Sequence, residues 1–381
     1  MSLVARIHHS LAEIPAFAWA TLATHGSPFL AHAFLDGLER TGCIRRELGW
    51  RPHHVALYRG DVLVAAAPCY LKANSHGEFV FDFSWAQAHE RAGLDYYPKL
   101  LVAVPYTPVS GPRLLLREGE PAETRDALVA AIEAERARMH ASSAHANFVR
   151  DDNAAALARA GWLARGDWQF HWENAGYASF DDFLGALVHK RRKEIRRERA
   201  RFAAPDWSFE WLDGAALDEA ALDFVHECYV TTFAEKGNYP ALTRAFFGHL
   251  AAAMPTQVRA CIARHEGRAT AMAFCLRDES TLYGRYWGSL ASVPLLHFEA
   301  CYYQGLDHCI AHGIARFEPG AQGEHKIARG FLPSPTRSFH RIAHPGLRAA
   351  IARSLEHEAR HDARYRDAAM AHSPYRRDEG P

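Results

Sequence analysis

The chain carries no excess of charge of either sign, since 44 Lys and Arg stand against 44 Asp and Glu. No bulk field therefore draws it onto nucleic acid or anionic lipid, and any such binding must be local. No apolar run approaches the roughly 20 residues that a spanning helix needs. The stretch from Leu11 to Leu22 is interrupted by Glu13 and Pro15, with no small-residue cleavage site after it. A soluble, cytoplasmic protein without a signal peptide is therefore expected. The seven cysteines are an odd number and form no Cys-x-x-Cys pair. They are expected to be reduced thiols of the core, not a disulfide frame or a zinc ribbon. A Walker loop, a Gly-x-Gly-x-x-Gly after a strand and a Gly-x-Ser-x-Gly elbow are all missing. Nucleotide hydrolysis, dinucleotide redox chemistry and α/β-hydrolase chemistry thus lack support.

What the chain does contain is an internal echo. Pro28-Phe29-Leu30-Ala31-His32-Ala33-Phe34-Leu35-Asp36-Gly37-Leu38 returns in outline as Pro240-Ala241-Leu242-Thr243-Arg244-Ala245-Phe246-Phe247-Gly248-His249-Leu250, with Pro, Leu, Ala, Phe and the last Leu at one constant spacing. Downstream, Leu57-Tyr58-Arg59-Gly60 and Ala65 to Leu71 are echoed by Ala263 to Gly267 and Ala271 to Leu276. Each copy reads as an amphipathic helix, a strand, a polar turn and a second strand. So long a period excludes a solenoid, whose repeats run about 20–50 residues. It implies two copies of one domain with a cleft between them. A length of 381 residues agrees, at a loose ~150 residues per domain. The expected division is 1–178, 179–355 and a polar, frayed tail at 356–381.

Within the halves, Glu78 to Trp85 alternates aromatic and polar residues and predicts a half-buried strand. An alanine-rich helix is expected over 122–141, one helix over Phe180 to Phe202, and one from Pro294 to His312. Gly313 closes that last helix, and Ala315 to Glu318 reads as a strand. Strands joined both by hairpins and by helical crossovers make each half an α+β or mixed α/β unit.

The densest polar cluster follows that last strand. Glu318 enters a glycine-rich loop carrying Gln322, His325, Lys326 and Arg329, and Tyr286, Trp287 and Glu299 lie on the elements just before it. Glycines let backbone approach a ligand, the charged groups can orient and protonate it, and α/β folds bind ligands at strand ends. Two further patterns stand out. His357-Glu358-Ala359-Arg360-His361 matches a zinc-protease pattern, but only a polar tail remains to offer a third ligand, so no metal site is expected. Arg192, Arg196 and Arg199 fall close together on a helix and form a candidate anion clamp, although interleaved glutamates also permit pairing within the helix.

Several strings carry a family resemblance: Ser27-Pro28-Phe29-Leu30, Glu78-Phe79-Val80-Phe81-Asp82, Tyr97-Pro98-Lys99-Leu100, Lys190 to Arg196, Tyr283-Gly284-Arg285-Tyr286-Trp287-Gly288 and Phe317 to Lys326. Through them nearly the whole chain resembles the FemAB-like, peptidoglycan-biosynthesis-like predicted N-acyltransferases. The resemblance implies tandem GNAT-like domains, as in the Fem transferases that extend cell-wall precursor peptides from aminoacyl-tRNA. Those enzymes place a lysine shortly before a Gly-Phe or Phe-Gly pair, and Lys326 before Gly330-Phe331 is similar, which implies an anion-binding role for Lys326. Where simple acetyltransferases hold the coenzyme A pyrophosphate with a Gln/Arg-x-x-Gly-x-Gly/Ala loop, this chain has Ser289-Leu290-Ala291-Ser292-Val293-Pro294. Acyl-CoA and aminoacyl-tRNA both stay open as the co-substrate, and no permanently bound cofactor is implied.

The expected activity is transfer of an acyl or aminoacyl group from an activated carrier to a small-molecule or peptide amine. Glu318 or His325 is the candidate base, with Glu299 beside them. Tyr286 is a candidate acid or hydrogen-bond donor, and Lys326 and Arg329 neutralise a phosphate or carboxylate. Asp82, Trp85 and Tyr106 from the first half are expected to line the shared cleft. The rival expectation is a non-catalytic protein that uses the same fold to recognise an anionic or cell-envelope ligand.

Overall fold

The computed structural model of the protein describes residues 2–321 and 323–376. Its strands, in chain order, are β1 (Leu3–His8), β2 (Trp50–Pro52), β3 (His54–Arg59), β4 (Val62–Ala67), β5 (Cys69–Lys72), β6 (Lys99–Val102), β7 (Leu115–Leu116) and β8 (Ser143–Ala146). They continue with β9 (Leu163–Glu173), β10 (Trp207–Asp213), β11 (Val258–His265), β12 (Arg268–Arg277), β13 (Thr281–Ser289), β14 (Arg316–Glu318) and β15 (Leu332–Ile342). The chain forms two compact units. Unit 1 comprises residues 1–167 and 335–364, and unit 2 comprises residues 168–334 and 365–381.

In unit 1, β1, β3 and β4 pair antiparallel, β5 pairs antiparallel with β6, β6 runs parallel to β8, and β8 pairs antiparallel with β15. Unit 2 repeats this order: β10, β11, β12 and β13 pair antiparallel, β13 runs parallel to β14, and β14 pairs antiparallel with β9. The irregularities repeat as well. The first hairpin of each unit slips register just before its turn, between Leu57 and Tyr58 in one and between Ala263 and Arg264 in the other. Pro68, which cannot donate to a ladder, separates β4 from β5, and the corresponding place in unit 2 is a bulge between Phe274 and Cys275. The duplicated, mixed α/β architecture is therefore written in the pairing itself. Each unit takes its last strand from a distant part of the chain, β15 in unit 1 and β9 in unit 2.

Each unit closes on its own apolar core. In unit 1, Val55, Leu57, Leu100, Val102 and Phe339 from the strands pack with Leu128 and Ile132 of the helix Ala122–Arg138. In unit 2, Trp172, Phe317, Leu306, Phe183 and Phe331 form the corresponding layer. All seven cysteines are free, and all but Cys301 are fully buried. At Gly288 of β13 an added Cβ would lie 2.1 Å from the backbone oxygen of Cys228, on the helix Glu219–Glu235. That strand and helix approach each other only because the side chain is missing. Gly288→Ala should therefore cost about 1–3 kcal/mol through overpacking, read as a lower urea midpoint with an unchanged slope.

Three expected elements are corrected. Glu78 to Trp85 is not a strand: Phe79 has φ 59°, and the helix Phe83–Arg91 begins after Asp82. The aromatic–polar alternation is real but inverted, with Glu78 and Asp82 buried and Phe79, Phe81 and Phe83 exposed. The helix expected over 180–202 is two helices, Phe180–Ala186 and His189–Ala200. It breaks because Leu187 is extended and bridges Tyr375, while the Val188 N–H donates to Pro374. Residues 356–371 are not a frayed tail but continue the helix Pro345–Ala371. Ile351 and Leu355 of that helix pack with Trp85 and Tyr96 in unit 1, and Tyr365 and Ala369 join the unit 2 core. Glu358 of the His-Glu-x-x-His pattern is held by Arg165 at 2.9 Å.

Candidate active site in unit 2

The parallel pairing of β13 with β14 covers only Thr281–Tyr283 against Arg316–Glu318. Beyond it β13 runs on to Ser289, while the other chain turns away at Pro319. Glu318 sits at the point of divergence. The antiparallel register of β14 on β9, with Arg316 opposite Glu173 and Phe317 opposite Trp172, sets Glu318 opposite His171.

The Glu318 carboxylate and the His171 Nδ1 approach to 3.8 Å, too far for a hydrogen bond. Glu318 Oε2 and His171 Nδ1 are both buried and lack a hydrogen-bond partner among the described residues. Burial lifts the Glu318 carboxyl to about 7, against the opposing pull of Arg316. Burial, helped by Arg316 and Lys326, lowers His171 to about 3, so its ring is neutral at physiological pH. His171 Nε2 lies 3.2 Å from the Gln169 side-chain oxygen. With Nε2 donating there, Nδ1 is a bare acceptor. With Glu318 ionised, two acceptors thus face one another, and among the described residues no proton donor stands between them.

The loop after Glu318 is held from beneath. The Lys326 ammonium donates to the Gly320 carbonyl at 2.6 Å, and burial lowers it to about 8. Gly320 and Gly323 have φ of 103° and 116°, and a Cβ at Gly323 would lie 2.4 Å from the His325 ring, so the path requires glycine. His325 Nε2 lies 2.8 Å from the Tyr302 hydroxyl. The His297 ring completes that cluster, with centroid distances of 5.1 Å to Tyr302, 5.3 Å to Trp287 and 6.4 Å to His325. Tyr286 points the other way along β13 and packs on Tyr229 at 5.2 Å. Gln322 lies outside the described residues.

Other expected site residues are engaged elsewhere. Arg329 donates to both Glu198 carboxylate oxygens at 2.8 and 2.9 Å, to Tyr303 at 3.0 Å and to the His325 carbonyl at 2.9 Å, leaving no reach for a ligand phosphate. Glu299 accepts from Arg199 at 3.2 Å and from Gln304 at 2.8 Å. Arg199 also pairs with Asp307 at 2.7 Å, and Arg196 pairs with Asp181 at 3.0 Å. The clamp expected from Arg192, Arg196 and Arg199 is therefore not assembled, because neighbouring carboxylates already take two of its three members.

Asp82, Trp85 and Tyr106 belong to unit 1. Asp82 and Trp85 are fully buried there and line no open surface. Lys99 contacts Asp82, reaches Glu78 at 2.9 Å and donates to Ser75 at 3.0 Å, while Tyr96 donates to Asp82 at 2.6 Å. Trp85 packs on His340 with centroids 4.7 Å apart. Tyr106 donates to the Cys43 carbonyl at 3.0 Å. Two strings quoted for the family resemblance, Glu78–Asp82 and Tyr97–Leu100, thus meet in one buried network.

The duplication places a counterpart of the Glu318–His171 pair in that network. His145 of β8 stands where Glu318 stands on β14, and His340 of β15 lies opposite it as His171 does. The Nδ1 atoms of His145 and His340 are 2.7 Å apart and share a hydrogen bond. His340 Nε2 meets Ser338, two residues earlier, just as His171 Nε2 meets Gln169. Unit 1 closes the pair on itself. Unit 2 leaves it open. Sequence reading missed His171 and Gln169, although Gln169, His171 and Glu173 alternating with Phe170 and Trp172 is a strand signal.

A family model described as peptidoglycan biosynthesis/recognition matches residues 10–377. The chain belongs to the FemAB-like family. No curated protein matches it. Among solved structures, FemX superposes with a TM-score of 0.52 at 11% identity, over 92% of this chain and 100% of that one. The C-terminal domain of a putative lysylphosphatidylglycerol synthetase from Agrobacterium fabrum gives 0.54 at 13% identity, over 91% and 97%. A conserved protein of unknown function from Bacteroides thetaiotaomicron gives 0.50 at 11% identity, over 89% and 99%. These likenesses establish the fold. No helix among the described residues is long and apolar enough to cross a membrane.

Proposed function

We propose that this FemAB-like protein is an N-acyltransferase whose unit 2 receives the acceptor amine between Glu318 and His171. The open pair of buried acceptors carries the reading. An ammonium or amine N–H is the group that would satisfy both atoms at once, and a carboxylate lifted to about 7 is matched to removing its proton near neutrality. The neutral amine nitrogen attacks the carrier's carbonyl while Glu318 takes the proton that the nitrogen sheds, and the new C–N bond replaces the carrier's C–S or C–O bond. The proton held on Glu318 then passes to the departing thiolate or alkoxide. Lys326 fixes the loop through Gly320 and supplies positive charge for a phosphate or carboxylate on the carrier. His325 and Tyr302, hydrogen-bonded to one another, stand as the second proton-bearing pair.

Family membership supports a cell-envelope amine as acceptor and leaves acyl-CoA and aminoacyl-tRNA as the donor classes to compare. The test incubates the purified chain with each donor class and a panel of amines, and detects product by mass. One donor class should give an amide product. Lys326→Ala should raise KM for that donor about tenfold or more, as expected for loss of a charge-assisted contact worth about 1.5–3 kcal/mol, with a smaller change in kcat. Absence of product with both donor classes would overturn the assignment.

A further inference from the structure

The basic helix at 189–200 has most of its arginines occupied, yet in unit 1 two arginines without a partner among the described residues, Arg46 and Arg51, border a cavity. A space of about 540 Å³ is bordered by Arg45, Arg46, Arg51, Arg138, His53 and Trp50, and an adjoining space of about 300 Å³ shares Arg46, Trp50 and Arg51 and adds Lys72. The local sequence builds it. A single 3₁₀ turn, Arg46–Leu48, ends at Gly49 with φ 76°, and the reversed chain enters β2 with Trp50 and Arg51. Arg46 and Arg51 are thereby brought to the same mouth from opposite sides of the turn.

Neither Arg46 nor Arg51 has an ion-pair or side-chain hydrogen-bond partner among the described residues, unlike most arginines of this chain. Among the described residues, no carboxylate borders either space. Glu135 accepts both Arg138 donors at 2.6 and 2.8 Å and also contacts His53. The Lys72 ammonium lies 3.6 Å over the Trp50 ring. Two arginines without a partner at the mouth of a small-molecule-sized hollow call for a multiply charged anion.

The geometry points to a binding site in unit 1 for a phosphorylated small molecule, with Arg46 and Arg51 gripping a diphosphate-type group. A nucleic-acid strand fits less well. The indole of Trp50 is 1% exposed and its face is taken by Lys72, so no stacking platform is offered to a base. This inference does not rest on the transfer chemistry assigned to unit 2.

Inorganic pyrophosphate is the probe, titrated calorimetrically into the full chain at low and at physiological salt. Saturable one-to-one binding is expected at both. Arg46→Glu should weaken it at least tenfold, and because Arg46 is exposed the variant should keep the wild-type melting temperature. Arg51→Ala should weaken binding to a similar extent. Arg268→Glu, at an exposed position of unit 2, should leave the affinity unchanged and so excludes a general charge effect. Three results would overturn the site: no heat with wild-type protein, equal affinity in Arg46→Glu, or tight binding of single-stranded RNA that pyrophosphate fails to displace.

Discussion

Replacing Glu318 by Gln should lower kcat/KM for amine acylation about 10²–10⁴-fold, the range that a positioned general base supplies. The wild-type rate should rise tenfold per pH unit up to about 7 and then level off, and this limb should vanish in the variant. Stability should move the other way. Burial raises the folded-state pKa of Glu318 from its ordinary 4.5 to about 7, so the folded protein binds this proton more tightly than the unfolded chain. The stability it contributes is complete below pH 4.5 and is lost as pH rises through 7. Gln resembles the protonated acid, so Glu318→Gln should match wild type in acid and exceed it above neutrality in urea denaturation. A variant that is slower but less stable at pH 8 would mean that Glu318 is a structural anion. Full activity in the variant would remove it from the chemistry.

The second large effect lies in unit 1. Lys99→Met should destabilise the protein by about 3–5 kcal/mol, because it strands Glu78 and Asp82 in a buried site without their shared cation. Burial alone would raise the Asp82 carboxyl, but the Lys99 ammonium outweighs it and holds the group below the usual range. That contribution is present above an ordinary carboxylate pKa and is lost as pH falls through the lowered folded value. In Lys99→Met the two buried carboxyls lose the cation that opposes burial, which already lifts Glu78 to about 7. They take up protons well above the ordinary carboxylate range, so the gap between wild type and variant should be widest near neutrality and narrow by pH 4. Urea midpoints at pH 7 and pH 4 measure it. A pH-independent loss would show that the lysine acts through packing alone. Adding Asp82→Asn to Lys99→Met should recover part of the loss, since one of the two stranded charges is then gone.

Much of the architecture was legible because it is local. The helices His32–Arg40 and Arg244–Ala253 follow from apolar residues at helical spacing, and the hairpins β3–β4 and β11–β12 from polar turns between apolar runs. Short-range pattern failed where one residue met a long-range demand. Asp82 falls among the polar positions of an expected half-buried strand and was expected to line a cleft, but its carboxylate is drawn inward by Lys99, seventeen residues away, and Phe79, Phe81 and Phe83 turn outward. Arg329 and Arg199 looked like free cations because nothing nearby in sequence announces Glu198 or Glu299 as their partners.

By itself the amino-acid order determined that the chain is duplicated, that each copy mixes hairpins with helical crossovers, and that Glu318 ends a strand before a glycine-rich turn. Backbone preference and apolar spacing act over a few residues, and those features need nothing more. Only the tertiary structure decided which strand completes each unit and what faces Glu318. β9 pairs with a strand some 140 residues later in the chain, and the register of that pairing sets a neutral imidazole opposite a carboxyl in unit 2, as the register of β15 on β8 sets one imidazole opposite another in unit 1. Strand pairing is a contest among distant segments, settled by how completely each buries its apolar face and satisfies its backbone. No local reading of residues 163–173 contains its outcome.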